Sequence, residues 1–302
     1  MDNTVKTSEK KKNKLVMPIV KWVGGKRQLL NDIEEKMPRT FGTYYEPFFG
    51  GGAVLFHLQP KKAVINDLNK DLMLTYQVVK DNPNELLESL FKHENTSEYF
   101  YSIRDKDRSS IFYSSMPRID KASRLIYLNK TCYNGLFRVN SSGQFNTPFG
   151  AYKNPNIVNE PVIRAVSIYL NQNEVEILTG DFAKAVASAK KGDFVYFDPP
   201  YYPMSDTANF TGYNEGGFDD KEQIRLRDLC IELDKKGIYF MVSNSSAKFI
   251  LDAYKDFNID YVKARRSVNS NASGRGEIDE VIITNYGKDK NRASMGENIL
   301  KV

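Results

Sequence analysis

The chain has 302 residues, 41% hydrophobic and 27% charged, with a formal net charge of +5. That length can bury a sizeable core, and no apolar run reaches a membrane span. Cys132 and Cys230 are the only cysteines, with His57 and His93 the only histidines, so neither a disulfide framework nor a structural zinc site is expected.

In chain order, residues 1–14 read MDNTVKTSEKKKNK, an expected disordered basic arm with no apolar leader; a cytoplasmic location is the default. A strand over Thr43–Glu46 runs into PFFGGG, where Gly50, Gly51 and Gly52 allow a tight turn before a helix over Ala53–Leu58. A second strand, Ala63–Asn66, ends at Asp67 and leads into a helix over Leu68–Lys80. From about 81 to 165 the alternation breaks. Helical segments there give way to NGLFRVNSSGQFNTPFGAY, whose Ser142-Gly143 between aromatic runs predicts a hairpin turn. The third strand, Glu174–Leu178, ends in Gly180-Asp181-Phe182. The fourth, Phe194–Phe197, breaks at Asp198-Pro199-Pro200-Tyr201, because proline cannot donate to a ladder. A helix over Lys221–Lys236, closed by Gly237, precedes strands Ile238–Val242 and Glu280–Thr284. The expected fold is α/β, a doubly wound, mostly parallel sheet formed by 15–80 and 166–286, with a helical and hairpin insertion over 81–165 and a tail over 287–302.

Parallel sheets bind ligands beyond the C-terminal ends of their strands, and these strand ends carry the chemistry. Asp67 can accept from both hydroxyls of a ribose, the glycines admit close backbone approach, and the DPPY corner fixes an acid beside an aromatic. Each has a plain alternative: a packing turn without GxGxxG spacing, a helix N-cap, a stiff solvated turn. Together they outline a nucleoside pocket beside a rigid corner. Charge adds a second theme. Residues 118–153 carry six basic side chains against one acid, and 263–276 carry four basic side chains and no acid, a pattern shared by polyanion footprints and solvated loops.

Six stretches in one order carry a resemblance: KWVGGKRQLL at 21–30, EPFFGGGAVLF at 46–56, NDLN at 66–69, YNGLFRVNSSGQFNTPFG at 133–150, DPPY at 198–201 and RRSVNSNASGRGEIDE at 265–280. The set resembles the Dam-type DNA N6-adenine methyltransferases (D12 class, alpha group), and within them the GATC-specific methylases of restriction-modification systems. The resemblance covers roughly residues 15–286 and implies a Rossmann-like methyltransferase sheet that uses S-adenosyl-L-methionine. The stretch NKTCYNG departs from family members that carry an arginine and further aromatics there.

By that resemblance, Trp22, Lys26, Phe48, Gly50, Gly51, Gly52, Asp67, Asp181, Phe182 and Asp198 address the cofactor, Asp67 through the ribose and Asp181 and Phe182 through the adenine. Asp198, Pro199, Pro200 and Tyr201 are the catalytic corner, which offers acceptors to the target amine and stacks the base. DNA contacts fall to Lys26, Tyr133, Asn134, Leu136, Arg138, Pro148, Arg265, Arg266, Ser267, Asn269 and Arg275. Arg138 is the guanine reader in this set, since a guanidinium can bond O6 and N7 together. The implied activity is methyl transfer to a flipped-out adenine in double-stranded DNA, with GATC as the site. A cognate restriction endonuclease is an implied partner that need not form a stable complex, and a monomer or weak dimer is expected, with no metal. Two alternatives stay open from sequence: methylation of cytosine N4 or RNA adenine by the same amine chemistry, and a catalytically silent DNA-binding regulator.

Overall fold

The central strands are continuous apolar runs, and because successive side chains point to opposite faces, each face of the sheet buries its own layer of helices. The computed structural model describes residues 12–26, 28–204, 218–265 and 277–287. Its strands are β1 (Tyr44–Glu46), β2 (Lys62–Asp67), β3 (Glu174–Thr179), β4 (Phe194–Phe197), β5 (Tyr239–Ser245), β6 (Asn258–Arg265) and β7 (Glu277–Thr284). They form one sheet in the order β3-β2-β1-β4-β5-β7-β6. β1 to β5 are parallel, and β7 runs antiparallel to both β5 and β6.

Tyr44, Ile65, Phe194, Tyr196, Met241 and Ile282 enter one core. Their neighbours Tyr45, Val64, Val195, Phe197, Phe240 and Val281 enter the other. The first core is covered by α1 (Leu30–Lys36), α2 (Ala53–Leu58), α3 (Lys70–Asp81), α4 (Pro83–Leu90), α7 (Arg118–Thr131) and α8 (Glu160–Gln172), and the second by α9 (Phe182–Ala185), α10 (Asp220–Lys235) and α11 (Lys248–Ala253). Helix α5 (Ser97–Arg104), a 3-10 turn over Asp105–Arg108, α6 (Ser110–Ser115) and the hairpin complete the chain between α4 and α8. Asn69 and Asp219 cap α3 and α10 by accepting from Leu72 N and Glu222 N, and Gly237 follows α10 at φ +69.

Three boundaries differ from the expectation. Strand β6 was absent from it, because NIDYVKAR sets Asp260, Lys263 and Arg265 among few apolar residues at the edge of the sheet. The insertion is less separate than its altered periodicity implied: Leu86, Leu87, Leu90, Leu125 and Ile126 join the first core, and α8 runs unbroken through residue 165. Only Phe100, Ile103, Tyr127, Leu128, Cys132 and Phe145 form a core of their own. Finally, Lys12 pairs with Glu34 at 2.6 Å and Asn13 N donates to Gln59 Oε1, so the expected arm ends before residue 12. Residues 1–11 and 288–302, the rest of the arm and nearly all of the tail, lie outside the described residues.

Candidate active site and nucleic-acid interface

Strand order reverses between β1 and β4, and in open parallel sheets ligands bind beyond the C-terminal strand ends at such a switch point. The glycine motif leaves β1 on one side of this point and DPPY leaves β4 on the other. Asn66, buried at the end of β2, donates to Pro47 O at 3.0 Å and Gly180 O at 2.9 Å, tying three strand ends together. Asp67 accepts from Gly50 N and Asn69 N at 2.9 Å each, and burial raises its carboxyl above the usual range. A carboxylate has about four acceptor sites, so the backbone bonds do not exhaust it.

The glycines have separable reasons. Gly52 sits at φ +74, and a Cβ there would collide with the rings of Phe49 and Phe56, so it is glycine for packing as well as for backbone. Gly50, at φ +51, faces Trp22 instead. Trp22 covers the turn and stacks on Phe137 of the hairpin, with centroids 4.7 Å apart. It is half-buried and wedged between the glycine turn and the hairpin.

At the corner, Asp198 pairs with Lys26 Nζ at 2.7 Å, and both side chains are largely buried. Burial pushes the Asp198 carboxyl up to about 6, while Lys26 opposes the rise and Glu280 adds to it. Lys26 also donates to Gly24 O and lies 4.4 Å from the centroid of the Tyr201 ring. Tyr201 donates to Glu280 Oε2 at 2.8 Å, and burial holds its phenol protonated well above the ordinary range. Beneath the prolines lies a buried amide pair. Gln223 donates to Pro200 O at 2.9 Å, Asn244 donates to Gln223 Oε1, and Asn244 Oδ1 accepts from Tyr202 N and Ser245 N. Nearby Glu46, fully buried, accepts from Tyr44 Oη and Leu55 N, and burial lifts its carboxyl to about 8.

Asp181 caps α9 through Ala183 N and takes a bidentate bond from Arg225 at 3.1 and 2.6 Å, which holds its carboxyl below the ordinary value. The Arg225 guanidinium lies 4.0 Å from the centroid of the Phe182 ring. Phe182 stacks on Phe48 at 5.2 Å, and Phe218 meets Phe48 edge-on. A buried acid with spare acceptor capacity beside a cluster of aromatic rings has the chemistry to suit the ribose and base of an adenosyl group. Among the described residues no cluster fits a metal ion.

The hairpin rises from η-turn Tyr133–Gly135. Tyr133, Asn134, Arg138 and Pro148 are exposed and Leu136 is half-buried. Asn134 adopts φ 56, a left-handed conformation that asparagine tolerates, and its N–H donates to Tyr152 Oη. The turn closes through Gly143 N to Asn140 O at 2.9 Å, with Gly143 at φ +74, as the Ser142-Gly143 pair predicts. Buried Asn129 accepts from Lys21 N and donates to Lys21 O and Gly135 O, binding the N-terminal motif to the hairpin. Within six residues, then, the 21–26 segment touches the hairpin, the glycine turn and the acid of the corner.

The basic stretch needs one correction. Arg124 is buried and pairs with Asp107 at 2.8 Å, so it is internal structure rather than footprint. Arg265 ends β6, and Arg266, Ser267, Asn269 and Arg275 lie outside the described residues. Motif reading missed Asn66, Asn129, Gln223, Arg225, Asn244 and Glu280. Asn66 and Glu280 lie inside the quoted NDLN and 265–280 stretches without a role assigned to them, and Asn244 had a local signal in the polar run Ser243-Asn244-Ser245 ending an apolar strand.

Comparison with known proteins agrees in class. A family model described as D12 class N6 adenine-specific DNA methyltransferase matches residues 22–268. The chain is 49% identical over 279 residues to Type II methyltransferase M1.LlaDCHI of Lactococcus lactis subsp. cremoris, covering 91% of this chain and 98% of the relative. It is 42% identical to Type II methyltransferase M.MjaIII of Methanocaldococcus jannaschii, covering 90% and 99%. With the DNA adenine methylase of Escherichia coli (strain K12) the identity is 33%, covering 90% and 95%.

Proposed function

Since the chain belongs to the D12 class of N6 adenine-specific DNA methyltransferases, we propose that it methylates a flipped-out adenine within GATC in duplex DNA, with the DPPY corner holding the reacting amine. Adenine in DNA is the substrate class of the family, which answers the cytosine and RNA alternatives. The observation that carries the finer reading is the 21–26 segment, which joins the hairpin through Asn129 and Trp22 to the corner through Lys26. On this reading, base recognition and chemistry share one scaffold.

The amino group of adenine is a poor nucleophile because its lone pair is delocalised into the ring. Asp198 and the Pro199 carbonyl are the two acceptors proposed to draw that lone pair out of conjugation and to stabilise the charge that develops on nitrogen. Lys26 keeps Asp198 ionised against its burial, and Tyr201 offers a ring for stacking. S-Adenosyl-L-methionine, when bound, supplies an electrophilic methyl group; Asp67 would hold its ribose, with Asp181, Phe182 and Phe48 around its adenine and the Gly50–Gly52 turn with Trp22 nearer its methionine end. Base flipping costs about a few kcal/mol, which contacts from Tyr133, Asn134, Leu136 and Pro148 would offset. Arg138 would read guanine. A restriction endonuclease of the same specificity is the proposed partner in the cell, without a stable complex, and the enzyme would act as a monomer or weak dimer.

Tritiated S-adenosyl-L-methionine offered with duplexes that differ only at one GATC tests this. Label is expected in the GATC duplex and in its adenine N6. Incorporation indifferent to that site would remove the specificity.

A further inference from the structure

The Phe145 backbone lacks a neighbouring strand. The hairpin pairs only by isolated bridges, Val139 with Phe145 and Cys132 with Phe149. Residue 145 therefore turns an N–H and a C=O away from its hairpin partner, and buried backbone groups need partners. Side chains supply them. Asp107 Oδ2 accepts from Phe145 N at 2.8 Å, and Arg108 donates to Phe145 O at 2.8 Å. Arg108 also pairs with Asp107 Oδ1 at 2.8 Å, so one acid and one arginine imitate the edge of a strand.

Arg124 fixes that imitation to the protein body. It pairs with Asp107 at 2.8 Å and donates to Ile103 O and Arg104 O at the end of α5. The adjoining cavity is about 20 Å³, room for about one water. The next residue carries the consequence. Asn146 N donates to Arg138 O at 2.9 Å, and its Oδ1 accepts from Arg138 Nε at 2.7 Å. With Nε engaged, the two terminal nitrogens of Arg138 are the pair left to meet a base edge.

We propose that Asp107, Arg108 and Arg124 form a positioning clamp which sets, through Phe145 and Asn146, where Arg138 is presented to DNA. It rests on the reading of Arg138 as a base reader and deepens it. The clamp residues touch no substrate; they act on specificity through another side chain.

The test is the ratio of kcat/KM on a GATC duplex to that on a duplex with the Arg138-read base pair replaced. A ratio is insensitive to the fraction of folded enzyme, so simple loss of stability does not move it. Arg138→Ala should lower it about 10- to 100-fold. Asp107→Asn and Arg108→Met should each lower it about 3- to 10-fold, the scale of one lost hydrogen bond, mainly through KM on GATC, and should add nothing in the Arg138→Ala background. If Asp107→Asn does not fold, Arg108→Met, at a partly exposed position, decides alone. An unchanged ratio in the clamp variants beside a lowered one in Arg138→Ala overturns the clamp. An unchanged ratio in Arg138→Ala overturns the reader and the clamp together.

Discussion

The DPPY corner and the recognition hairpin are held by opposite means. The corner leaves the middle of the sheet, where β4 lies between β1 and β5 and every residue of Phe194–Phe197 is buried. Its prolines limit the backbone, and the Gln223–Asn244 pair occupies the polar groups around them. The hairpin's arms are joined by a few backbone bonds and isolated bridges, and side chains such as Asp107, Arg108 and Asn129 tie it to the rest of the protein. The contrast suits the tasks proposed for the two regions. Transition-state acceptors must not reorganise as charge develops, so they belong on the stiffest element. A base reader must project from the surface, so its support has to come from its own base.

The comparison can be broken from either side. The largest effect is expected from Asp198→Ala, which should lower methyl transfer by about 10²- to 10³-fold or more, while gel-shift affinity for duplex DNA stays near wild type. An equal loss of binding would mean that corner and reader are one unit. Arg138→Ala should do the reverse, lowering discrimination about 10- to 100-fold with kcat on the GATC duplex little changed, as read by steady-state kinetics on matched and altered duplexes.

The acidity of Asp198 sharpens the comparison. Acceptance of the amine protons requires the carboxylate, and its pKa in the free protein is raised to about 6, so kcat/KM should be level above that value and fall as pH drops through it. Lys26 lowers this pKa, so Lys26→Met should move the fall to higher pH; an unmoved profile would assign it to another group. A smaller effect is expected from Asn244→Ala. It strands the Tyr202 N–H and one face of Gln223 in a buried setting, costing about 1–3 kcal/mol of stability, measurable by chemical denaturation, with a kcat loss larger than that of Asn129→Ala.

Much of the site was legible because strand ends announce themselves locally. Asp67 and Asp198 each follow an apolar run, and Gly237 closes its helix as the residue pattern requires. The Arg124 misreading had the opposite cause. Charge counted along a sequence carries no depth, and Asp107, 17 positions away, is the partner that takes this arginine inside. Strand β6 was lost because charges interrupt NIDYVKAR, which reads as loop when its neighbour β7 is unknown.

The order of residue types along the chain was enough to establish the α/β alternation, the acid-proline-proline-aromatic corner and the family, since each depends on near neighbours and spacing. Which amides brace the corner, which arginine is buried and what holds the hairpin were decided only in three dimensions. Asn66 with Gly180, Asn129 with Lys21 and Tyr201 with Glu280 meet across 114, 108 and 79 positions. Hydrogen bonds of that kind depend on distance and angle in space, and no local pattern encodes them.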